Sequence, residues 1–244
     1  MSSGAYVALS GLQARAEQLN RLAGDLANIG TSGYKAERGT TAAAERPRDA
    51  FGNALQSAID VAEGPRSIDM HNGAVTTTGR ELDMAIDGRG FFVVSTAEGP
   101  RYTRNGHFTR RSDNVVVTEQ GDPVMGEGGP LTLPPGGGAI RIGDGGQLLA
   151  GDAVVGKLQI VEFANAAGLS RQDGALFRAG AGSTPTAVAD PTLVTGALEQ
   201  SNVSLVERMA SLTEVSRTFE ALQRGVTILM NDIDGRAISE LGRR

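Results

Sequence analysis

The chain has 244 residues, of which 40% are hydrophobic and only 4% are aromatic, and its formal net charge is −5. This weakly acidic composition, with no basic stripe of interleaved aromatic residues, argues against nucleic acid as a partner. Cysteine is absent, which excludes disulfides and thiolate metal sites, and no apolar run approaches the roughly 18 residues of a membrane span, so we expect no membrane insertion.

Residues 1–35 carry an apolar pattern that repeats every seven residues. Such a repeat keeps one stripe of a helix turned toward a partner helix. Gly30 and Gly33 follow the last apolar position and are typical of a helix end. The segment is therefore predicted to be an N-terminal assembly helix, and its candidate interface residues are Leu12, Leu19, Leu22, Leu26 and Ile29.

Residues 36–66 are mostly small, polar or charged and contain one weak apolar cluster, Phe51, Leu55 and Ile59. Such a composition buries little surface, so we interpret the segment as a linker or an extended arm. A solvated loop is the simplest form of it, and the apolar cluster would allow a short helix.

Between residues 67 and 182 apolar residues alternate with polar ones, as in half-buried strands. Glycine-rich turn signals separate the alternating runs. The strands predicted from this pattern are 82–86, 91–94, 101–103, 107–110, 115–118, 131–133, 140–142, 147–150 and 157–163. We expect a mainly β central domain, an irregular sandwich or barrel of many short strands.

Residues 183–199 are rich in Gly, Ser, Thr and Pro, which predicts a second linker. Residues 200–244 are predicted to form a C-terminal assembly helix, which begins at a capping box of Ser204 and Glu207. Its candidate interface residues are Leu205, Leu212, Val215, Phe219, Leu222, Val226, Leu229 and Ile233.

Three arginines, Arg15, Arg208 and Arg236, interrupt the two apolar rows. A guanidinium is costly among apolar neighbours, so each is expected to face a carboxylate or solvent. From periodicity alone, the terminal helices either pair with each other and with neighbouring copies, forming a coiled coil on assembly, or fold onto the domain core. Their position at the chain ends favours the first arrangement.

No residues have the spacing of a catalytic, cofactor or metal site, so no enzyme activity, cofactor or metal is predicted. The glycine runs lack the order of a phosphate loop, and neither His71 nor His107 accompanies a nucleophile elbow. Asp83 and Asp87 are interpreted as residues of a solvated strand face. The first residues lack the basic and apolar regions of a secretory signal, so secretion by the general pathway, with a cleaved signal peptide, is not expected.

Three segments resemble the signatures of the bacterial flagellar rod and hook protein family. Residues 26–35 read LANIGTSGYK, residues 82–108 contain LDMAIDGRGFFVV and YTRNGHF, and residues 196–203 read GALEQSNV. The residues that carry the resemblance are Asn28, Thr31, Gly33, Tyr34, Tyr102, Thr103, Arg104, Gly106, Ser201, Asn202 and Val203. Their order along most of the chain makes the similarity specific.

The resemblance implies a structural subunit of the periplasmic rod of the flagellar basal body. It also implies passage through the flagellar type III export apparatus and helical assembly with itself and other rod subunits, with the terminal helices in an inner coiled-coil layer. Within the family the chain resembles the proximal rod members, with distal rod members as the alternative.

Two functions from other classes are also considered. A periplasmic enzyme acting on the cell wall would need an acid–base pair that the residues do not indicate. A ligand-binding β module would need an apolar pocket with converging polar groups, which the amino-acid order alone does not reveal.

Overall fold

The computed structural model describes residues 2–43, 61–136, 138–164, 168–180 and 182–241, of which residues 2–10, 40–43, 61–66, 144 and 229–241 are described by their backbone alone. The chain divides into two compact units. The helical unit comprises Met1–Ala27, Glu37–Arg66 and Ser204–Arg244, and the β unit comprises Asn28–Ala36 and Ser67–Val203.

The helical unit contains helix α1 (Ser2–Ala27) and helix α2 (Leu205–Leu241), which pack against each other. Helix α2 begins where the sequence predicts, because the backbone N–H of Glu207 donates a hydrogen bond to Oγ of Ser204 over 3.5 Å. This contact is one half of the predicted capping box, and it satisfies a backbone donor that has no partner inside the helix.

Among the side chains that the structure describes in the two helices, one large apolar side chain of each is buried, Leu22 of α1 and Val215 of α2, both 5% exposed. Asp25 is also buried, and its Oδ2 lies 3.2 Å from Nε of Arg208. Of the two expectations for Arg208, a carboxylate or solvent, the structure shows the carboxylate. This ion pair joins the two helices at a position where an apolar row would otherwise continue.

The other two arginines of the apolar rows differ in what the structure describes. Nη1 of Arg15 donates a hydrogen bond to Oε1 of Gln18 over 2.7 Å, one helical turn away. The side chain of Arg236 lies outside the described residues.

Strands β1 (Glu37–Ala43) and β2 (Val61–Ile68) pair into a two-stranded sheet. They lie in the segment 36–66, for which the sequence suggested a solvated loop within a linker or extended arm. The structure differs because strand pairing satisfies backbone N–H and C=O groups without requiring a strongly apolar sequence. The apolar cluster at Phe51, Leu55 and Ile59 lies outside the described residues.

The β unit contains many short strands, as predicted. They are β3 (Val75–Thr77), β4 (Met84–Asp87), β5 (Phe91–Thr96), β6 (Gly99–Thr103), β7 (Thr109–Arg110), β8 (Val116–Val117), β9 (Met125–Gly126), β10 (Gly129–Pro130), β11 (Ile140–Ile142), β12 (Gln147–Ala150), β13 (Ala153–Lys157), β14 (Ile160–Phe163), β15 (Leu169–Asp173), β16 (Leu176–Ala179), β17 (Pro185–Ala187), β18 (Thr192–Thr195) and β19 (Ala197–Glu199). A short 3-10 turn, Asp144–Gly146, precedes β12.

The largest sheet has six antiparallel strands in the order β15-β16-β6-β5-β14-β17. The others in the described chain have two or three strands each, including β11-β12-β13 and the pair β7-β8. The large sheet is open, with β15 and β17 as its edges, so a mainly β fold is confirmed but its strands do not close into a barrel.

Strand β5 lies between two apolar clusters. Phe92 and Val94 belong to one cluster, where the ring of Phe92 contacts that of Phe108 edge-to-face at 5.1 Å. Phe91 and Val93 point to the other face and belong to the second cluster. A strand that is buried on both faces reads as a continuous apolar run, which accounts for the sequence FFVV.

Two strands from the C-terminal part of the β unit pair with its N-terminal part. Strand β18 is antiparallel to β4, with Leu193 opposite Ile86, and β19 is antiparallel to β3, with Leu198 opposite Thr76. The segment 183–199, predicted as a linker, instead carries strands β17 to β19. Its turn-rich composition concealed them because each is only three or four residues long and is defined by a distant partner.

Candidate functional site

The candidate interface residues of the helical unit differ in exposure. Leu22 and Val215 are buried, whereas Leu205 is 49% exposed. The partly buried candidates are Leu12, Leu19, Leu26, Leu212, Phe219, Leu222 and Val226, together with Ile29, which belongs to the β unit. The side chains of Leu229 and Ile233 lie outside the described residues.

Further apolar side chains of α2 point to solvent. Val206 is 77% exposed, Met209 is 56% exposed and Ile228 is 69% exposed. Helix α2 therefore presents apolar surface in addition to the stripe around Val215.

The three sequence segments that carry the family resemblance meet in the β unit. We call this place the motif junction and define it as residues 28–36, 69–73, 104–106 and 199–203. It includes the residues that directly follow α1, and it ends at Val203, one residue before α2, which begins after Ser204. The chain therefore continues from this junction into both helices.

Gly33 brings the N-terminal segment into the motif junction. Its backbone N–H donates a hydrogen bond to the carbonyl oxygen of Glu199 over 2.7 Å. Its φ is +68°, and a Cβ atom at this position would lie 2.2 Å from the carbonyl carbon of Arg104 and 2.3 Å from the backbone nitrogen of Asn105. Only glycine fits both the backbone conformation and this close approach.

Lys35 and Glu199 form a buried ion pair at the centre of the motif junction. Nζ of Lys35 donates hydrogen bonds of 2.6 Å to Oε1 of Glu199 and 2.6 Å to the carbonyl oxygen of His71. The side chains are 0% and 1% exposed, respectively. Burial lowers the pKa of Lys35 below its ordinary value, while the hydrogen bond and the charge of Glu199 oppose this shift.

Arg104 adds a second buried cation beside Glu199. Its Nε lies 3.5 Å from Oε2 of Glu199, and Nη2 donates a hydrogen bond to Oδ1 of Asn72 over 2.8 Å. Further bonds run from the guanidinium to the carbonyl oxygens of Ile86 and Gly88. Burial lowers the pKa of Arg104, and Glu199 opposes that change. Two buried cations therefore share one carboxylate.

The side chain of Asn202 links the segment 28–36 to the segment 199–203. Oδ1 accepts a hydrogen bond from the backbone N–H of Ala36 over 2.7 Å, and Nδ2 donates to the carbonyl oxygens of Asp69 and His71 over 2.8 and 3.0 Å. Its backbone N–H also donates to the carbonyl oxygen of Tyr34 over 3.3 Å. An asparagine is suited to this position because its amide both accepts and donates.

Tyr34 and Val203 give the motif junction a small apolar cluster, which also includes Ala36 and the partly buried Ile29. The guanidinium of Arg171, from β15, lies over the ring of Tyr34 at 4.0 Å and donates a hydrogen bond to the carbonyl oxygen of Lys35. The cation–π contact and the hydrogen bond both hold the N-terminal segment on the edge strand.

The remaining family residues have local roles. Oγ1 of Thr31 donates to Oδ1 of Asn28 over 3.1 Å, Oγ1 of Thr103 accepts from the N–H of Asn105 over 3.0 Å, and Oγ of Ser201 accepts from the N–H of Val203 over 3.3 Å. Tyr102 is buried, and its ring contacts Phe163 edge-to-face at 4.8 Å. Each residue therefore shapes a turn or the core in the motif junction or beside it.

Gly106 is required by a close backbone approach. A Cβ atom there would lie 1.6 Å from the carbonyl oxygen of Met84, whose N–H donates to the carbonyl oxygen of Gly106 over 3.0 Å. The sequence predicted a turn between the strands 101–103 and 107–110, and the structure adds that Gly106 in this turn allows its backbone to pair with that of Met84.

The interpretation of Asp83 as a solvated residue is wrong. Asp83 is 1% exposed, its Oδ2 accepts a hydrogen bond from Oγ1 of Thr78 over 2.7 Å, and its Oδ1 lies 2.9 Å from Nδ1 of His107. The backbone bridge between Asp83 and His107 and the loop before the strand bring polar partners over the carboxylate, which strand alternation does not reveal. Asp87 is exposed, as predicted.

Sequence reasoning did not select Lys35, Glu199 or Arg171 as site residues. One signal was available, since Lys35 is one of only two lysines in the chain and stands within a family segment. Among the described residues no group of three His, Cys, Asp or Glu side chains is placed to hold a metal ion. No described helix combines the length and the apolar character needed to cross a membrane.

Comparison with known proteins gives two family matches. Residues 85–150 match the family model of the flagellar hook protein FlgE/F/G D1 domain, and residues 194–234 match that of the flagellar basal body rod FlgEFG protein C-terminal region. The first match runs from β4 to β12, and the second runs from β18 into α2. Part of the motif junction falls inside each match.

Similar proteins cover almost the whole chain. A flagellar basal-body rod protein FlgF of Rhizobium meliloti is 33% identical over 99% of this chain and 99% of its own length. A FlgF protein of Salmonella typhimurium is 34% identical over 97% of each chain. A flagellar basal-body rod protein FlgG of Bacillus subtilis is 30% identical over 91% of this chain and 93% of its own length.

Proposed function

This chain belongs to the family of flagellar basal-body rod proteins, with FlgF and FlgG proteins among its relatives, and we propose that it is a structural subunit of the proximal flagellar rod. It is not an enzyme, and it works in the flagellar basal body. The cell-wall enzyme considered from the sequence is therefore set aside.

Assembly through the terminal helices is the central part of the proposal. Helices α1 and α2 lie in one unit, both carry apolar rows with a period of seven, and α2 still exposes Leu205, Val206, Met209 and Ile228. Exposed apolar side chains on a helix are typical of a surface that another protein covers. Copies of this chain and other rod subunits are the proposed occupants, and the helices form a coiled coil with them.

A rod grows by repeating the same contact from subunit to subunit. Such a contact is heterologous, because the surface that one copy presents differs from the surface that receives it. Pairing of apolar rows along α1 and α2 would supply this contact while the β unit keeps its own core. We also propose that the chain leaves the cytoplasm through the flagellar type III export apparatus before it assembles in the periplasm.

The test is a double substitution on the half-buried stripe of α2, Leu212→Asp with Phe219→Asp. Two carboxylates in this stripe should prevent helix pairing, because an ionised group is not tolerated in an apolar contact without a partner. We expect loss of swimming and loss of the protein from purified basal bodies, while strand β5 keeps its hydrogen-exchange protection. The matched control, Thr213→Asp with Ala221→Asp, places the same charges on exposed positions of the same helix.

Normal swimming of the Leu212→Asp, Phe219→Asp variant would contradict assembly through this stripe. Quantitative mass spectrometry of the same basal bodies addresses the position in the rod. A wild-type copy number of a few per basal body supports the proximal rod, and a number several-fold higher supports the distal rod.

A further inference from the structure

We propose that Lys35 and Glu199 act as a latch that makes the N-terminal segment 28–36 and the C-terminal segment 199–203 order as one cooperative step. The inference rests on the proposed function, since the first segment directly follows α1 and the second ends one residue before α2. Under this proposal the two residues are positioning residues, and neither of these two segments of the β unit is ordered without the other.

The latch joins two segments that are far apart along the chain. Lys35 and Glu199 are separated by 164 positions, and their side chains meet at 2.6 Å. Around them, the N–H of Gly33 donates to the carbonyl oxygen of Glu199, and the N–H of Ala36 donates to Oδ1 of Asn202. The two segments therefore contact each other through backbone and side chains together, so that releasing one removes the partners of the other.

Each latch residue also has a hydrogen-bond partner in a third segment of the chain, 69–73. Oε1 of Glu199 accepts a hydrogen bond from the N–H of Gly73 over 2.9 Å, and Nζ of Lys35 donates to the carbonyl oxygen of His71. The segment 69–73 is thus hydrogen-bonded to both the segment 28–36 and the segment 199–203. This arrangement links three stretches of backbone through one ion pair.

The two latch residues differ in their number of charged partners, and this difference gives a specific prediction. Glu199 is the counter-ion of two buried cations, Lys35 and Arg104. Replacing Glu199 by Gln leaves both cations without it, whereas replacing Lys35 by Met leaves Glu199 with Arg104 and the N–H of Gly73. A buried charge that loses its partner is strongly destabilising. Glu199→Gln should therefore loosen the motif junction more than Lys35→Met does.

The double variant distinguishes a latch from simple loss of packing. Lys35→Met combined with Glu199→Gln removes one of the two cations that Glu199→Gln alone leaves unpaired. If charge pairing controls the motif junction, the double variant should be less loosened than Glu199→Gln. If the side chains only fill space, the effects of the two substitutions on hydrogen exchange should add.

The chain offers a matched control for both positions. Nζ of Lys157, the other lysine, lies 3.0 Å from Oε1 of Glu127, but these side chains are 27% and 58% exposed. Exposed ion pairs contribute little to stability. Lys157→Met and Glu127→Gln therefore repeat the chemical changes where no latch is proposed.

Hydrogen-exchange mass spectrometry of the full-length protein is the experiment. Glu199→Gln should raise exchange in residues 28–36 by roughly ten-fold or more, the scale of a lost hydrogen bond to a charged group. Lys35→Met should raise exchange in residues 199–203 by a smaller factor. Strands β5 and β6 should keep their protection in both, and the Lys157 and Glu127 controls should match the wild type in all three regions.

Amine acylation gives a second readout, because the chain has only two lysines. Lys35 should react far more slowly than Lys157 in the wild type, and Glu199→Gln should raise the ratio of Lys35 to Lys157 labelling. If Glu199→Gln does not fold, Lys35→Met and the double variant carry the exchange test.

The proposal is overturned if Glu199→Gln folds and leaves exchange in residues 28–36 unchanged, or if Lys35→Met leaves residues 199–203 unchanged. It is also overturned if the double variant is loosened by the sum of the single effects. Neither exchange nor labelling depends on rod assembly. A failed latch is thereby distinguished from a failed assembly proposal, which the Leu212→Asp, Phe219→Asp variant tests separately.

Discussion

Gly33→Ala should destabilise the β unit through two separable effects. A non-glycine residue in the left-handed region, where Gly33 has a φ of +68°, costs about 1–2 kcal/mol. The new Cβ would also lie 2.2 Å from the carbonyl carbon of Arg104, so the segment must move away from this backbone. That movement stretches or breaks the hydrogen bond from Gly33 to Glu199, worth about 1 kcal/mol. The sum is about 2–3 kcal/mol.

Gly79→Ala is the matched control for the cost of placing alanine in the left-handed backbone conformation. Gly79 has a φ of +76°, but nothing lies within 4 Å of the Cβ position. The difference in unfolding free energy between Gly33→Ala and Gly79→Ala therefore isolates the clash and the lost hydrogen bond, and we expect it to be about 1 kcal/mol or more.

Urea unfolding followed by tyrosine fluorescence is a suitable assay, since the chain has no tryptophan and two of its three tyrosines, Tyr34 and Tyr102, are buried in the β unit. In thermal unfolding followed by the same fluorescence, the midpoint temperature of Gly33→Ala should fall by about 5–10 °C relative to the wild type, as expected for a chain of this length. Equal stability of the Gly33→Ala and Gly79→Ala variants would refute the close approach of the N-terminal segment to residues 104–105.

Two further predictions concern buried charges. Asp25→Asn should lower the unfolding free energy of the helical unit by about 1–3 kcal/mol, because Arg208 loses its carboxylate partner at 3.2 Å. Helix content followed during urea unfolding measures this loss, and an unchanged midpoint urea concentration would contradict the pairing. For Lys35, burial lowers the pKa in the folded protein below the ordinary 10.5, so between these two values the unfolded state binds more protons and stability rises with pH. The stability of the wild type relative to Lys35→Met should therefore increase as the pH approaches 10.5 from below. A difference that stays flat with pH would contradict the shift.

The sequence predicted the local elements well where the pattern is periodic. The run from Phe91 to Val94 became strand β5, and Ser204 with Glu207 marked the start of α2. These features depend on neighbouring residues and on alternation, which the amino-acid order shows directly. The position of the family segments in one junction was not predicted, although the segments themselves were recognised.

What the sequence missed depends on residues that are distant along the chain. Strands β17 to β19 are too short to be seen without β14, β4 and β3. Asp83 alternates like a solvent-facing residue, yet His107 and Thr78 cover it. The ion pair of Lys35 and Glu199 has no local signature, since any lysine and any glutamate look alike until the fold brings them together.

The pairing of β3 with β19 and of β4 with β18 also constrains the order of folding. In each pair the partners lie far apart along the chain, at its residues 75–87 and 192–199. Contacts of such long sequence separation form slowly, because the entropy of closing the intervening loop is lost before the contact stabilises anything. Under the proposed export through the flagellar apparatus, residues 75–87 cannot pair with residues 192–199 until both segments have left it, so these two sheets would form late.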